Sequence, residues 1–278
     1  MKFDPSLPED GFNVSRAHPL REALLLVGGV VAIGAAIAAA LAVAIDFAAP
    51  HIPIALEARL FSGWFDRGVE DDEAVTPRER YLAQILNRMA GHWPESPYAF
   101  EIAIWDESEP NAVALPGGVI ALTNGLLESV ESENELAFAL GHELGHFHNR
   151  DHLRGLGRGV AFSLLLVAVG VGGGGSAVQL ASLAGRFAQR GFDRGQEIEA
   201  DRFALALLAA EYGHVSGAEA FFEHLPERAG PLEGALASYF STHPVNSERI
   251  RALRAADREM GWEPRGERRA LPSLSPRR

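Results

Sequence analysis

Two histidines four residues apart, with a glutamate directly after the first, form the stretch of this chain best equipped for chemistry: His142-Glu143-Leu144-Gly145-His146. On a helix, residues four apart differ by about 40° in direction and about 6 Å in height, so both imidazoles can reach one ion. Glu143 points to the side, where its carboxylate can reach a water at an open coordination position. The pattern therefore predicts a Zn²⁺ site, one ion per chain, with its general base built in. Such a site needs a third protein ligand. The chain has no cysteine, so that ligand must be His, Asp or Glu.

Two residues compete for the position. His152 falls where a third histidine would stand in His-Glu-x-x-His-x-x-Gly-x-x-His, with Asn149 at the glycine position. Asn tolerates the left-handed conformation better than most residues, so the departure does not exclude that pattern. Glu197 is the alternative. In Glu197-Ile198-Glu199-Ala200-Asp201 the first and last residues share a helix face, so one carboxylate can bind metal while the other holds a ligand imidazole.

The elements that must position these groups are readable in part. Thr76 with Glu79 forms a capping box and Pro77 suits the first turn, which predicts a helix to Ala90 with Tyr81, Leu82, Ile85, Leu86 and Met89 on its buried face. Tyr98–Trp105, Asn111–Leu115 and Val119–Thr123 read as short strands, the last two joined by Pro116-Gly117-Gly118, a tripeptide suited to a tight turn. Together they predict a small antiparallel sheet. A second capping box, Ser132 with Glu135, opens the helix that carries the two histidines. Further helices are expected over Asp193–Ala210, stopping near Gly213, and over Pro244–Ala256. From Gly261 the chain is rich in Pro, Arg, Gly and Ser, a composition that predicts a disordered tail over 261–278.

In this order, four stretches resemble the gluzincin zinc metalloproteases that include HtpX-like membrane proteases, CAAX prenyl proteases and mitochondrial quality-control relatives. They are Asn111-Ala112-Val113-Ala114-Leu115-Pro116-Gly117-Gly118, the His142–His146 segment, Glu197 with Asp201, and Ser241-Thr242-His243-Pro244 with Arg249-Ile250 behind it. The resemblance implies a mainly helical α+β fold, a zincin-like metalloprotease domain over 52–260. It also implies Glu197 as third ligand, Asp201 behind a ligand imidazole, and a cleft bordered by Asn111, Ala112, Val113 and Ala114. Glu143 would be the catalytic base of an endopeptidase, and His243 or Arg249 the donor to the developing negative oxygen. Substrates would be unfolded or membrane-associated proteins or peptides, and the expected setting is protein quality control. The rival from another class is a membrane-tethered, non-catalytic metal-binding or scaffold protein.

The run from Ala23 to Ile45 carries no charge and is long enough to span a hydrocarbon core of roughly 30 Å as a helix. It is read as a single transmembrane anchor following an N-terminal segment, 1–22, and it makes the lipid bilayer a partner. Ala42-Val43-Ala44 has the form of a cleavage site, but the run exceeds a signal core and Asp4, Glu9 and Asp10 leave the leading region poorly basic. Lys2, Arg16 and Arg21 precede the span, a bias that predicts an outer, extracytoplasmic catalytic domain. Gly159–Ala184 is also uncharged. A single crossing there would put Glu197 on the opposite side from His142, so a buried or membrane-dipping hairpin, loosened at Gly172–Gly175, is expected. A net charge of −12 with no basic stripe excludes a nucleic-acid surface.

Overall fold

The computed structural model describes residues 19–61, 76–168, 193–223, 243 and 247–272. Helix α1 (Pro19–Ala48) leads through a short 3₁₀ turn (Ala49–His51) to α2 (Ile54–Phe61). Helix α3 (Pro77–Gly91) follows, with both halves of the Thr76/Glu79 capping box in place. Its apolar stripe of Leu82, Ile85, Leu86 and Met89 is buried as expected.

Strands β1 (Glu101–Trp105), β2 (Ala112–Leu115) and β3 (Val119–Thr123) form one sheet in the order β1-β3-β2. The β2–β3 pair is antiparallel, and its turn places Gly117 and Gly118 at positive φ. The β1–β3 pair is parallel, so the sheet is mixed rather than wholly antiparallel. After β1 the chain crosses the end of the sheet over residues 106–111 and leaves a strand-wide gap, which β3 fills once the hairpin has turned back. Among the described residues β2 is therefore an edge strand.

After α4 (Asn124–Ser129), helix α5 (Glu133–His148) runs through the middle of the domain. Ser132 caps it by accepting from the Glu135 N–H, while the Glu135 carboxylate reaches back to the Glu131 N–H. Every residue of α5 from Glu133 to Phe147 is buried. Helix α6 (Asp151–Ala168) comes next, then α7 (Arg194–Tyr212), started by an Asp193/Gln196 capping box and stopped by left-handed Gly213. Helices α8 (Ser216–Glu223) and α9 (Ser247–Met260) complete the order among the described residues. The core gathers Leu136, Phe138, Leu140 and Leu144 of α5 with Leu86 and Met89 of α3, Ile120 and Leu122 of β3, Leu205 and Leu208 of α7, and Phe221 of α8.

Helix α1 is long and apolar enough to cross a membrane. Among its half-buried positions, Gly34, Ala38, Ala42 and Ile45 recur every three to four residues and make one face. Helix α6 lies against this helix with Gly157 close to Ile45 and Arg158 bonded to Asp46 at 2.6 Å. Arg150, at the start of α6, instead reaches Ile52, so α6 runs antiparallel to α1. The first ten residues of the Gly159–Ala184 stretch are thus helix laid back along α1, and 169–184 lie outside the described residues.

Residues 261–272, expected to be disordered on composition, instead line the domain. Ser132 and Ala270 form an antiparallel bridge, the Arg269 carbonyl accepts from the Glu133 N–H, and the Glu263 carbonyl accepts from the Val215 N–H. These are backbone bonds, to which composition is blind. Residues 1–18 and 273–278 lie outside the described residues, as does the acidic stretch Glu70-Asp71-Asp72-Glu73.

Candidate metal centre

Small residues bring the two site-bearing helices together. A Cβ on Gly145 would lie 2.7 Å from the Ala200 Cα, and one on Gly141 would lie 3.2 Å from the Ala204 Cα. Gly141 and Gly145 thus face Ala200 and Ala204 across α5 and α7, and that close approach lets Glu197 reach the two histidines one turn along.

The side chains then converge. His142 Nε2 and His146 Nε2 are 3.1 Å apart, and the Glu197 carboxylate lies 3.5 Å from each. Each ring is held from behind: His142 Nδ1 donates to Asp201 Oδ1 at 2.9 Å, and His146 Nδ1 donates to Asp151 Oδ2 at 3.0 Å. With both Nδ1 protons committed, the two Nε2 lone pairs face each other, an arrangement that needs a cation between them. Nitrogens bound tetrahedrally to Zn²⁺ at about 2.05 Å would stand roughly 3.3 Å apart, so the observed spacing fits a metal. His142, His146, Glu197 and His243 form a buried cluster that could hold a metal ion, with one potential ligand atom from each lying within 4.8 Å of the others.

The electrostatics agree. Burial works against a charged His146, but Asp151, Glu197 and Glu143 outweigh it and push its pKa up to about 9. His142 is raised likewise, against its burial, by Glu197 and Asp201. Burial alone would raise the Glu197 and Asp201 carboxyls, yet the surrounding histidines hold Glu197, and Arg249 holds Asp201, well below the ordinary carboxylate range. His243 shifts the other way, lowered by its burial, so the surroundings favour positive charge at His142 and His146.

Glu143 sits beside the cluster, wholly buried, and neither carboxylate oxygen has a hydrogen-bond partner among the described residues. His243 Nε2 is 3.5 Å from Glu143 Oε1, and His243 Nδ1 is 3.1 Å from both His142 Nε2 and Glu197 Oε1. Arg249 is placed differently from the expected donor to a substrate oxygen. Its guanidinium forks onto Asp201, with Nε to Oδ2 at 2.5 Å and Nη2 to Oδ1 at 2.8 Å, and it also pairs with Glu197. It donates further to the His243 carbonyl and packs on the Phe222 ring. These bonds direct it at the back of the ligands, away from Glu143.

His152 belongs to another cluster: its Nε2 meets Glu57 Oε1 at 3.0 Å. His148 stacks on Phe203 with ring centroids 4.5 Å apart. Ala112 and Ala114 of β2 are buried in the core, while Val113 faces the opposite side of the sheet. Asn111, just before the strand, accepts from the Thr123 N–H through its carbonyl. Ser241, Thr242 and Pro244 lie outside the described residues. Sequence reasoning missed Asp151, whose one signal is an acid five residues past His146 at a helix start. It also missed the Gly141/Gly145 pair, visible as small residues four apart on the metal helix.

Comparison with known proteins agrees with this geometry. The family model described as peptidase family M48 matches residues 76–257. The chain is 31% identical over 159 residues to "Mitochondrial metalloendopeptidase OMA1" of Arabidopsis thaliana, covering 57% of this chain and 32% of that protein. It is 27% identical over 177 residues to "Metalloprotease LoiP" of Escherichia coli, covering 62% and 68%. It is 29% identical over 246 residues to a "Protease HtpX homolog" of Burkholderia mallei, covering 72% and 84%. The matched stretch thus spans only a third of the Arabidopsis protein, and 52% of a fission-yeast protein of the same name.

Proposed function

The chain belongs to peptidase family M48, and on that footing we propose that it is a membrane-anchored, zinc-dependent endopeptidase acting on unfolded or membrane-associated proteins. The observation that carries the reading is the buried carboxylate of Glu143, which has no hydrogen-bond partner among the described residues, beside His142, His146 and Glu197. A purely structural metal site has no use for such a group. A role in protein quality control is inferred from the family resemblance alone.

His142, His146 and Glu197 would hold the ion. When bound, Zn²⁺ would polarise the scissile carbonyl and lower the pKa of a water to about 7. Glu143 takes the proton from the attacking water and delivers it to the leaving amine nitrogen, so one carboxylate serves both halves of the reaction. His243 is assigned the developing negative oxygen, its Nε2 lying 3.5 Å from Glu143 Oε1 at the edge of the cluster. Asp201 and Asp151 keep the ligand imidazoles in one tautomer and orientation. Arg249 neutralises Asp201 and Glu197 from behind. The outer edge of β2, over Asn111, Ala112, Val113 and Ala114, would receive an extended substrate as a further strand, through backbone bonds that ask little of its sequence.

Helix α1 is assigned as the anchor in the bilayer. The basic residues ahead of it support an extracytoplasmic domain. The antiparallel packing of α6 on α1 and the meeting of His142 with Glu197 in one cluster support a Gly159–Ala184 stretch that does not cross the bilayer once.

One observation favours a second reading. His243 is a fourth possible ligand, and four protein ligands would close the site as in a structural centre. The full chain in detergent decides between the two. The proteolytic reading expects about one zinc per chain and cleavage of casein, with Glu143→Gln keeping the metal and losing about 10²- to 10⁴-fold in rate. His243→Ala would keep the metal as well. Undiminished cleavage by Glu143→Gln would overturn the mechanism, and loss of metal from His243→Ala with no cleavage by the parent would establish the closed site.

A further inference from the structure

Glu57 takes no part in the chemistry above and lies outside the residues that match the family, yet its side chain is wholly buried. A carboxylate in such a place is costly unless its lone pairs are engaged. Here all are. Oε1 accepts from the Gly117 N–H at 2.7 Å and from His152 Nε2 at 3.0 Å, and Oε2 accepts from Arg150 Nη1 at 2.6 Å and the Tyr98 hydroxyl at 3.0 Å. Burial would raise this carboxyl, but His152, Gly117 and Tyr98 outweigh it and hold it below the ordinary range.

The partners lead in two directions. Arg150 and His152 flank Asp151, the carboxylate that holds His146. Arg150 has φ 60, a left-handed conformation that a long side chain keeps only when its surroundings hold it. It is gripped from α2 twice, by Glu57 and by the Ile52 carbonyl just ahead of that helix, and it lies over the Tyr98 ring. Gly117 leads the other way. It belongs to the turn that closes the β2–β3 hairpin, two residues past Leu115 at the end of the edge strand.

We propose that Glu57 is a positioning residue, which fixes the metal ligand His146 through the Arg150-Asp151-His152 turn and the edge strand β2 through Gly117. Helix α2, directly after the membrane-length helix, then belongs to the frame of the active site. The effect on turnover rests on the proteolytic reading, whereas the effect on metal binding stands without it.

The test uses the full chain in detergent. Glu57→Gln keeps the shape but removes the charge and turns an NH₂ toward buried donors. It is expected to weaken Zn²⁺ binding about tenfold in competition with a chromophoric chelator. It should also shift the visible spectrum of the Co²⁺-loaded chain and lower kcat more than it changes KM. Tyr81→Phe, which removes a bond to Glu133 at the far end of α5, should lower the thermal midpoint without moving metal affinity or the Co²⁺ spectrum. If Glu57→Gln fails to fold, Arg150→Lys and His152→Gln carry the same measurements. Metal affinity within about twofold of the parent and an unchanged Co²⁺ spectrum, whatever happens to the thermal midpoint, would overturn the proposal. A parent chain that binds zinc and cleaves nothing would sink the proteolytic reading, and the affinity and spectral arms would still decide the role of Glu57.

Discussion

Gly145 on the metal helix meets Ala200 on the helix that carries Glu197 so closely that a Cβ added there would stand 2.7 Å from the Ala200 Cα and 2.9 Å from its carbonyl oxygen. Both contacts are backbone, which cannot swing aside as a side chain would. Gly145→Ala is therefore expected to push α7 away from α5, at about 1 to 3 kcal/mol in stability. Because Glu197 rides on α7 and both histidines on α5, metal affinity should fall along with stability. Calorimetric unfolding with and without Zn²⁺ checks this: the metal should stabilise the variant by clearly less than the parent.

The two carboxylates behind the ligand imidazoles are not equivalent. Asp201 holds His142 and also pairs bidentately with buried Arg249, whereas Asp151 holds His146 and is further bonded to Gln196 and to the partly exposed Arg154. Replacing either by Asn should weaken metal binding about 10- to 100-fold. Asp201→Asn should in addition destabilise the metal-free chain by about 3 to 5 kcal/mol, because it deprives a buried guanidinium of its main partner. Chelator competition reads the first effect and denaturant unfolding of the metal-free chain the second. Equal stability losses in the two variants would contradict the buried-clasp account of Arg249.

What the sequence showed of this site is what helical spacing encodes. His142 with His146, Glu197 with Asp201, the Thr76/Glu79 capping box and the Ser132 cap are local patterns on the helices that their spacing predicted, although the Glu135 carboxylate turns back to the Glu131 N–H rather than to Ser132. Asp151 was hidden because its approach to His146 depends on the turn at Arg150, whose positive φ no residue preference announces. Glu57 was hidden because its partners lie far along the chain, at Gly117, Arg150 and His152. Arg249 was visible as a charge near His243 but not as a clasp, since only the packing of α9 on α7 turns it toward Asp201. The parallel β1–β3 pair and the docked 261–272 segment share one cause: strand order and backbone bonding to a distant segment leave no mark on local composition.

Helix α1 presents Leu24, Leu26, Val31, Ile33 and Val43 outward with nothing packed on them among the described residues. In water such a surface would drive association, and in a bilayer it is simply solvated. The full chain is expected to stay with membranes through an alkaline carbonate wash, with an N-terminal tag still attached. Ile33→Arg, placed mid-helix on the outward face, should disfavour insertion by about 2.5 to 3.5 kcal/mol. A washed-out product beginning just after Ala44 would instead establish cleavage at Ala42-Val43-Ala44.

At the opposite end of α5 from the metal cluster, Glu133 collects the hydroxyls of Tyr81 and Tyr212, at 2.5 and 3.0 Å, and the guanidinium groups of Arg88 and Arg269, at 2.6 and 3.3 Å. Burial raises this carboxyl, but these donors outweigh it and its pKa in the folded chain lies below the ordinary value of 4.5. A carboxylate with a depressed folded pKa stabilises the fold at pH above its unfolded value, and the contribution is lost as pH falls through the folded one. The thermal midpoint of the parent should therefore exceed that of Glu133→Gln by a constant margin from neutral pH down to about 5. The margin should shrink only below about pH 4.5 and close at lower pH, as both chains come to carry a neutral group. The network lies away from the ligands, so the pH at which the margin closes should be the same with and without Zn²⁺. A margin already shrinking between about pH 7 and 6 would mean that histidine protonation, rather than Glu133, sets the acid limit of the domain.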